Sequence, residues 1–521
     1  MTKNTITRVR KLLKKLNKEE VESLRVYLSA FQRSYGNYEP KSLQLLELLL
    51  EEEDVISDAE IKNRISPGAS QNTFGKLLAR LKEKIYECLS LDINIFRNGA
   101  YSKYYAAKLN LRKKLSQAEI FLVRGMGEEA IYLFDEISDK AKKYEIYDTL
   151  AEALFIRQTS VGARYGAKEY HQLRHEHAFY SRCQEALRKA LHWYYHFSLP
   201  EDFHIQKESR EEQLKKAIAE LATEAEYTKS GYVYYYLYLL KINYYEQTGD
   251  YYTVQKTCME LLGLAQKHKQ LFVNKVLGTI YMNLAHNAVC LHTFSPALEY
   301  ALEAKQYFKV NSFNYLYALE YEFYAHFYAG SINEAESILK DLIARTEKEE
   351  TPFRHNKRLY LYACVLFSRQ HYKEAHEFLQ QCKEINQDKE GWNIGVRILL
   401  IMSHIARKLF DVAEAQIETL REHIRETNKH KQVRQRDITI LKILVHLDKT
   451  AYDFRKTLND KPYYFDLLAS DEKEYKWQVP GAELVRFDNW FKTMANQKQP
   501  LEKESQTREL DYSTMVVAEV L

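Results

Sequence analysis

At 521 residues the chain is too long for one compact core, and only 16 glycines and 8 prolines leave little turn chemistry for a β-rich fold, so a linear array of long helices or several helical domains is expected. A net charge of +4 with 28% charged residues describes a mixed surface and gives no general case for nucleic acid or for a membrane.

Residues 1–100 read as an N-terminal helical module. LKKLNKEEVESLRVYLSAF places Leu13, Leu16, Val21, Leu24 and Leu28 on one helical face, and SLQLLELLLEEE follows as a second helix. Ser57-Asp58-Ala59-Glu60 forms a capping box that opens IKNRI, Ser66-Pro67-Gly68 makes a turn, and QNTFGKLLARLKEKIYECL is the closing helix. Helix, glycine turn and basic helix is the outline of a DNA-binding helix-turn-helix, in which Lys76, Arg80 and Lys84 line one stripe beside the apolar stripe of Leu77, Leu81 and Ile85. The same outline arises in any small helical bundle, where those cations are the solvated side of an amphipathic helix.

Hairpins begin near Asn110, with Ala118, Phe121, Ala130, Phe134 and Ile137 around a Gly125–Gly127 turn. Residues 146–230 are helical but irregular, with a long run from Glu169 to Phe197 and a loop at SLPEDFHIQ. A regular repeat follows. Val254, Ala297, Ala335, Ala375 and Ala413 mark equivalent positions separated by 43, 38, 40 and 38 residues, and a large apolar residue sits three positions before each. In the clearest unit, YMNLAHNAVCLHTFSPALEYALEAKQYF, Tyr281, Ala285 and Ala288 face Ala297, Ala301 and Ala304. Phe294 plugs the turn there, Ser295 is the expected N-cap, and Pro296 takes the first helical position.

The turn phrases QTGDYYTV, HTFSPALEYALEA, AGSINEAESIL, RQHYKEAHEFL and KLFDVAEAQIETL resemble tetratricopeptide repeats, in which a Gly-Asp-Tyr-like turn precedes an alanine followed by small or apolar residues. The likeness covers roughly residues 105–430 and is divergent. Its period exceeds the usual value of about 34, Val254 replaces one alanine, and Ile242, Phe323 and Ile401 replace the small residue of the leading helix. An N-terminal helical module before long-period repeats is similar in layout to the peptide-binding quorum-sensing regulators of Gram-positive bacteria, and the opening KLLKKLNKEEVESLRVYL resembles repeat proteins of Bacteroidetes. The resemblance implies a concave groove lined by the leading helices, with Tyr236, Asn243, Asn283, His286, Tyr321, Tyr324 and Tyr360 projecting into it. Asn283 matches the asparagine that can hold the backbone amide of an extended peptide, while the tyrosines supply flat contact area or pack between repeats.

After residue 430 the pattern fades. DITILKILVHL and DLLAS suggest closing helices, and ELVRFDNWFKTMA carries Leu484, Phe487, Trp490 and Phe491 on one side, as a cap over the last repeat would. Residues 431–495 are therefore expected to cap the array, and 496–521, which end in the apolar VVAEVL, to form a flexible tail.

No GxxxxGK[ST], GxGxxG, HExxH or GxSxG signature is present, so no catalytic residue and no cofactor is expected. His171/His175 and His192/His196 have zinc-compatible spacing, but each pair lacks a third ligand and Glu176 lies on another face, so no metal is expected. The six cysteines, Cys88, Cys183, Cys258, Cys290, Cys364 and Cys382, include no CxxC pair and fit a reduced, cytoplasmic protein. The basic opening lacks the apolar stretch of a secretory signal, and no apolar run reaches the about 18–20 residues of a membrane span. The expected protein is an all-α, right-handed solenoid of tetratricopeptide-like hairpins, with period about 38–43, behind an N-terminal helical module. Its partner would be a protein or peptide bound in the groove, and the alternative is a ligand-controlled transcriptional regulator that contacts DNA through Lys76, Arg80 and Lys84.

Overall fold

A computed structural model describes residues 2–30, 40–51, 58–91, 103–162, 165–198, 207–268, 270–271, 273–345, 352–382, 391–430 and 432–496. Those residues form helices and connecting turns, without strands. The chain divides into two compact units, residues 1–240 with 268–273, and residues 241–267 with 274–521.

The first unit opens with five helices: α1 (Thr2–Leu13), α2 (Lys18–Ala30), α3 (Lys41–Glu51), α4 (Asp58–Ile65) and α5 (Gln71–Leu91). The opening stretch is thus two helices rather than one, because Asn17 starts a new one. Its Oδ1 accepts from Glu20 N at 2.9 Å while Asn17 N donates to Glu20 Oε2 at 2.8 Å, a reciprocal capping box. The box expected at Ser57 lies outside the described residues. The Ser66-Pro67-Gly68 turn is present, with Gly68 at φ +72° and Ala69 N donating to Ser66 O. Phe74, Leu78, Leu81, Ile85 and Cys88 of α5 are buried against Ile6, Leu24, Leu45 and Ile61. Leu78 rather than Leu77 therefore belongs to the inward stripe. Its spacing from Phe74 and Leu81 follows the helix more closely.

The same unit continues with α6 (Lys103–Val123), α7 (Gly127–Tyr144), α8 (Tyr147–Arg157), a π-helical turn (Gln158–Gly162), α9 (Ala167–Ser198) and α10 (Lys207–Thr228), then the first half of α11 (Gly231–Thr248). The loop expected at SLPEDFHIQ lies mostly outside the described residues. Ala118, Ala130, Phe134 and Ile137 are buried together, as the first hairpin requires. The carboxylate of Glu145 accepts from Ser230 Oγ at 2.6 Å and from the N–H groups of Gly231 at 2.9 Å and Tyr232 at 3.2 Å, so an acidic side chain neutralises the positive start of α11.

The second unit holds α12 (Tyr251–Lys267), α13 (Asn274–Cys290), α14 (Phe294–Gln306), α15 (Phe313–Tyr328), α16 (Ile332–Ala344), α17 (Pro352–Ser368), α18 (Tyr372–Gln381), α19 (Trp392–Ala406) and α20 (Phe410–His430). Then come α21 (Gln435–Lys449), α22 (Phe454–Asp460), α23 (Pro462–Ala469) and α24 (Phe487–Asn496). Val254, Ala297, Ala335, Ala375 and Ala413 are fully buried, and each is the fourth residue of its helix. The large apolar residue three before each marker is the first helical residue: Tyr251, Phe294, Ile332, Tyr372 or Phe410.

One turn geometry makes this register. Five positions before each marker the backbone is left-handed, at Gly249, His292, Gly330, Gln370 and Lys408, with φ of 78°, 59°, 83°, 63° and 58°. The next residue's N–H donates across the turn to the carbonyl five residues back, as in Thr293 to Ala288 at 2.9 Å and Leu409 to His404 at 3.0 Å. That is a Schellman closure. Gly125 before Ala130 and Glu145 before Leu150 repeat it in the first unit. The same closure corrects the cap expected at Ser295. Because Thr293 already closes the turn, the helix starts at Phe294 and Ser295 lies inside it. Pro296 becomes the third helical residue, whose N–H would have had no intrahelical partner.

Leu484, just before α24, and Phe487, Trp490 and Phe491 within it are buried, with Trp490 reaching Phe367 of α17 at 6.4 Å and Phe491 reaching Phe465 at 4.9 Å. Arg436, 1% exposed, anchors them. Its guanidinium donates to Glu483 twice, at 2.5 and 2.9 Å, to Asp488 Oδ1 at 3.0 Å, and to the carbonyls of Leu468 and Tyr475. The tail from residue 497, with VVAEVL, lies outside the described residues.

Candidate functional site

The leading helices of the second unit, α13, α15, α17 and α19 with the end of α11, carry most of the residues singled out for partner binding. On α11, Asn243 is half-buried and accepts from Gln247 Nε2 at 2.6 Å. On α13, Asn283 is half-buried and its Nδ2 donates to Thr279 O of its own helix at 3.0 Å, a bond that an incoming backbone could replace. His286, one turn along, has Nδ1 3.1 Å from Glu246 Oε1 and its ring 5.5 Å from Tyr321 of α15. Burial disfavours its charged form, but Tyr321, Cys290 and the Glu246 carboxylate outweigh that and hold the imidazole well above its usual range. The Tyr321 hydroxyl is pushed up to about 12 by burial, so it stays a neutral donor. Asn283 and His286 are three apart on one helix, as are Asn243 and Glu246, so the Glu246–His286 pair sets these side chains on neighbouring faces.

Two of the expected groove tyrosines are covered. Tyr324 is 1% exposed and donates to Glu320 Oε1 at 3.1 Å, in a cluster where Lys357 also donates to that oxygen at 2.7 Å. Tyr360 is 1% exposed and donates to the carbonyl of Ala482 at 2.6 Å. Tyr324 therefore packs within the array, and Tyr360 is taken up by another part of the same chain. Neither offers a face to a partner, which corrects the expectation for both. Tyr236 belongs to the first unit, where it is half-buried with its ring 5.3 Å from Tyr194.

What covers Tyr360 is the irregular stretch between α23 and α24. Trp477 lies edge-on to His292 at 5.5 Å and to Tyr328 at 5.6 Å, and its Nε1 donates to Glu483 O at 2.8 Å. Ala482 meets α19 at Gly395, where an added Cβ would come within 2.0 Å of the Ala482 carbonyl oxygen. Residues 477–485, which bend at 479–482 and again at 485, thus pack on α15, α17 and α19, read through one carbonyl by a tyrosine hydroxyl and admitted by one glycine. Periodicity cannot reveal such a segment, since its partners, Tyr360 and Gly395 among them, lie far away in sequence.

Lys76 and Arg80 are exposed on α5, while the ammonium of Lys84 sits 5.4 Å over the ring of Tyr27. Tyr27 in turn donates to Glu87 at 2.7 Å, and Glu83 is exposed on the same helix, so the basic stripe is interleaved with acids. His171 and His175 are exposed, Glu176 pairs with Lys142, and the rings of His192 and His196 stack at 6.1 Å. Among the described residues no group of three or more His, Cys, Asp or Glu is placed to hold a metal ion, and no helix is long and apolar enough to cross a membrane.

No family model matches the chain, and no curated protein matches it. Among solved structures it is similar to a Signal Transduction ATPase with Numerous Domains protein with a tetratricopeptide repeat sensor from Pyrococcus horikoshii, at 11% identity and a TM-score of 0.36, over 88% of this chain and 66% of that one. The chain therefore spans just under two thirds of that protein's length. Its own hairpins, with buried markers in one register, make it an all-α protein of tetratricopeptide-like repeats.

Proposed function

We propose that the protein is a non-catalytic scaffold or adaptor that binds an extended segment of another protein on the leading helices of its repeats, through Asn243, Asn283, His286 and Tyr321. One observation carries this reading. An irregular, bent stretch of the chain itself, residues 477–485, already packs on α15, α17 and α19, with a tyrosine hydroxyl holding a main-chain carbonyl and a glycine making room for it. The neighbouring surface at α11, α13 and α15 offers the same kinds of groups: asparagine amides, a histidine and a neutral tyrosine hydroxyl. The six unpaired cysteines accord with a cytoplasmic setting.

The test is selection of extended peptides from a random display library on the full-length protein, followed by binding to Asn283→Ala and Tyr321→Ala. Peptides that bind the parent should lose about tenfold or more in affinity for either variant, each lost anchor contributing about 1.4 kcal/mol or more. Unchanged affinity with an unchanged melting temperature would refute the assignment.

A further inference from the structure

Three side chains with complementary proton chemistry line up at the C-terminal end of α13. Cys290 Sγ lies 3.5 Å from His286 Nε2, and His286 Nδ1 lies 3.1 Å from Glu246 Oε1. A spacing of four residues puts thiol and imidazole on one helical face, and a carboxylate at the far ring nitrogen fixes the ring and leaves Nε2 facing sulfur. Nucleophile, base and orienting carboxylate in that order is the arrangement that activates a thiol.

The other five cysteines differ. Cys88, Cys183, Cys258, Cys364 and Cys382 are buried, whereas Cys290 is partly exposed. Burial pushes the thiols of Cys183, Cys258 and Cys382 up to about 12 and that of Cys364 further, which leaves them poor nucleophiles. The remaining titratable groups facing the pair are Tyr251 and Cys258 of α12 and Tyr321 and Tyr328 of α15, all pushed upward by burial and therefore neutral. Cys290 is the last residue of α13 and His286 lies one turn before it, towards the helix end that favours a cation and disfavours an anion. Any activation of sulfur must then come from the imidazole, not from the backbone.

We propose that Cys290 is a modification site: a nucleophilic thiol that reacts with hydroperoxides and soft carbon electrophiles, with His286 handling its proton and Glu246 holding the ring. With hydrogen peroxide the sulfur attacks one peroxide oxygen as the thiolate, its proton already held on the charged ring of His286 at Nε2. The S–O bond forms, the O–O bond breaks, and the departing hydroxide takes the proton from His286 and leaves as water. Cys290 is oxidised by two electrons to the sulfenic acid, and the peroxide is reduced by the same two.

The full-length protein treated with a stoichiometric amount of hydrogen peroxide and a dimedone trap should carry the adduct on Cys290 and on no other cysteine, by peptide mass spectrometry. Iodoacetamide should alkylate Cys290 at neutral pH about tenfold or more faster than in His286→Gln, with Glu246→Gln in between. Glu246→Gln keeps the imidazole in place, so it reports on the relay even if His286→Gln unfolds. Equal alkylation rates in the parent and Glu246→Gln, or peroxide adducts spread over several cysteines, would overturn the assignment.

Discussion

The hydroxyl of Tyr360 donates to the carbonyl of Ala482 at 2.6 Å, joining α17 to a stretch of chain with no regular secondary structure. Around that bond the stretch passes so close to α19 that only glycine fits at position 395. Gly395→Ala should therefore destabilise the protein by about 1–3 kcal/mol through overpacking, and Tyr360→Phe by about 1 kcal/mol through the lost hydrogen bond. Urea unfolding of both variants checks the order. A larger effect for Tyr360→Phe would mean that the close approach is easily relieved.

Arg436 serves two carboxylates in a site sealed from solvent. Arg436→Met should cost about 3–5 kcal/mol, because it leaves the buried Glu483 without its ion-pair partner and Asp488 with Arg486 alone. Adding Glu483→Gln to that variant should recover part of the loss, since one uncompensated charge is then gone while Phe487 N keeps an acceptor. Chemical denaturation of the single and double variants measures the difference, and a double variant less stable than the single one would contradict it.

The hairpin turns predict substitutions of opposite sign. Lys408→Gly and Gln370→Gly should stabilise by up to about 1 kcal/mol, because a side chain is removed from a left-handed backbone; Gly330→Ala should destabilise by a similar amount. Thermal melts decide this directly. No gain from either glycine would show that the lost unfolded-state restriction matches the strain relieved.

His404 is 4% exposed and its ring lies 4.8 Å from that of His376. Burial, then His376 and Arg407, bring its pKa down to about 4. The unfolded chain, with histidine near 6.5, binds the extra proton first, so stability is full above that value and is lost as pH falls towards 4. The urea midpoint should fall over that window, and His404→Gln should flatten the slope. His286 is shifted the other way, so its contribution is present at low pH and fades as pH rises through its raised pKa.

The repeat was legible because a buried alanine at a helix–helix crossing has a composition that survives in the sequence: Ala297, Ala335, Ala375 and Ala413 are all fully buried where the spacing put them. Local pattern misleads where a side chain's role depends on distant chain. Tyr360 reads as a groove residue until Ala482 arrives from more than a hundred residues away. Ser295 reads as a cap until the closure from Thr293 to Ala288 moves the helix start. The register places His286 on the leading helix, but its contact with Glu246, one repeat earlier, and with Cys290 is set by how the helices pack.

A turn built on main-chain hydrogen bonds and one backbone conformation places few demands on spelling. Glycine occupies the bend at 249 and 330, but histidine, glutamine and lysine fill the same bend at 292, 370 and 408. Letters can change there while the architecture stays, each change costing only a fraction of what a buried alanine would. A chain assembled this way holds its hairpins with turns that share a backbone conformation and little of their lettering.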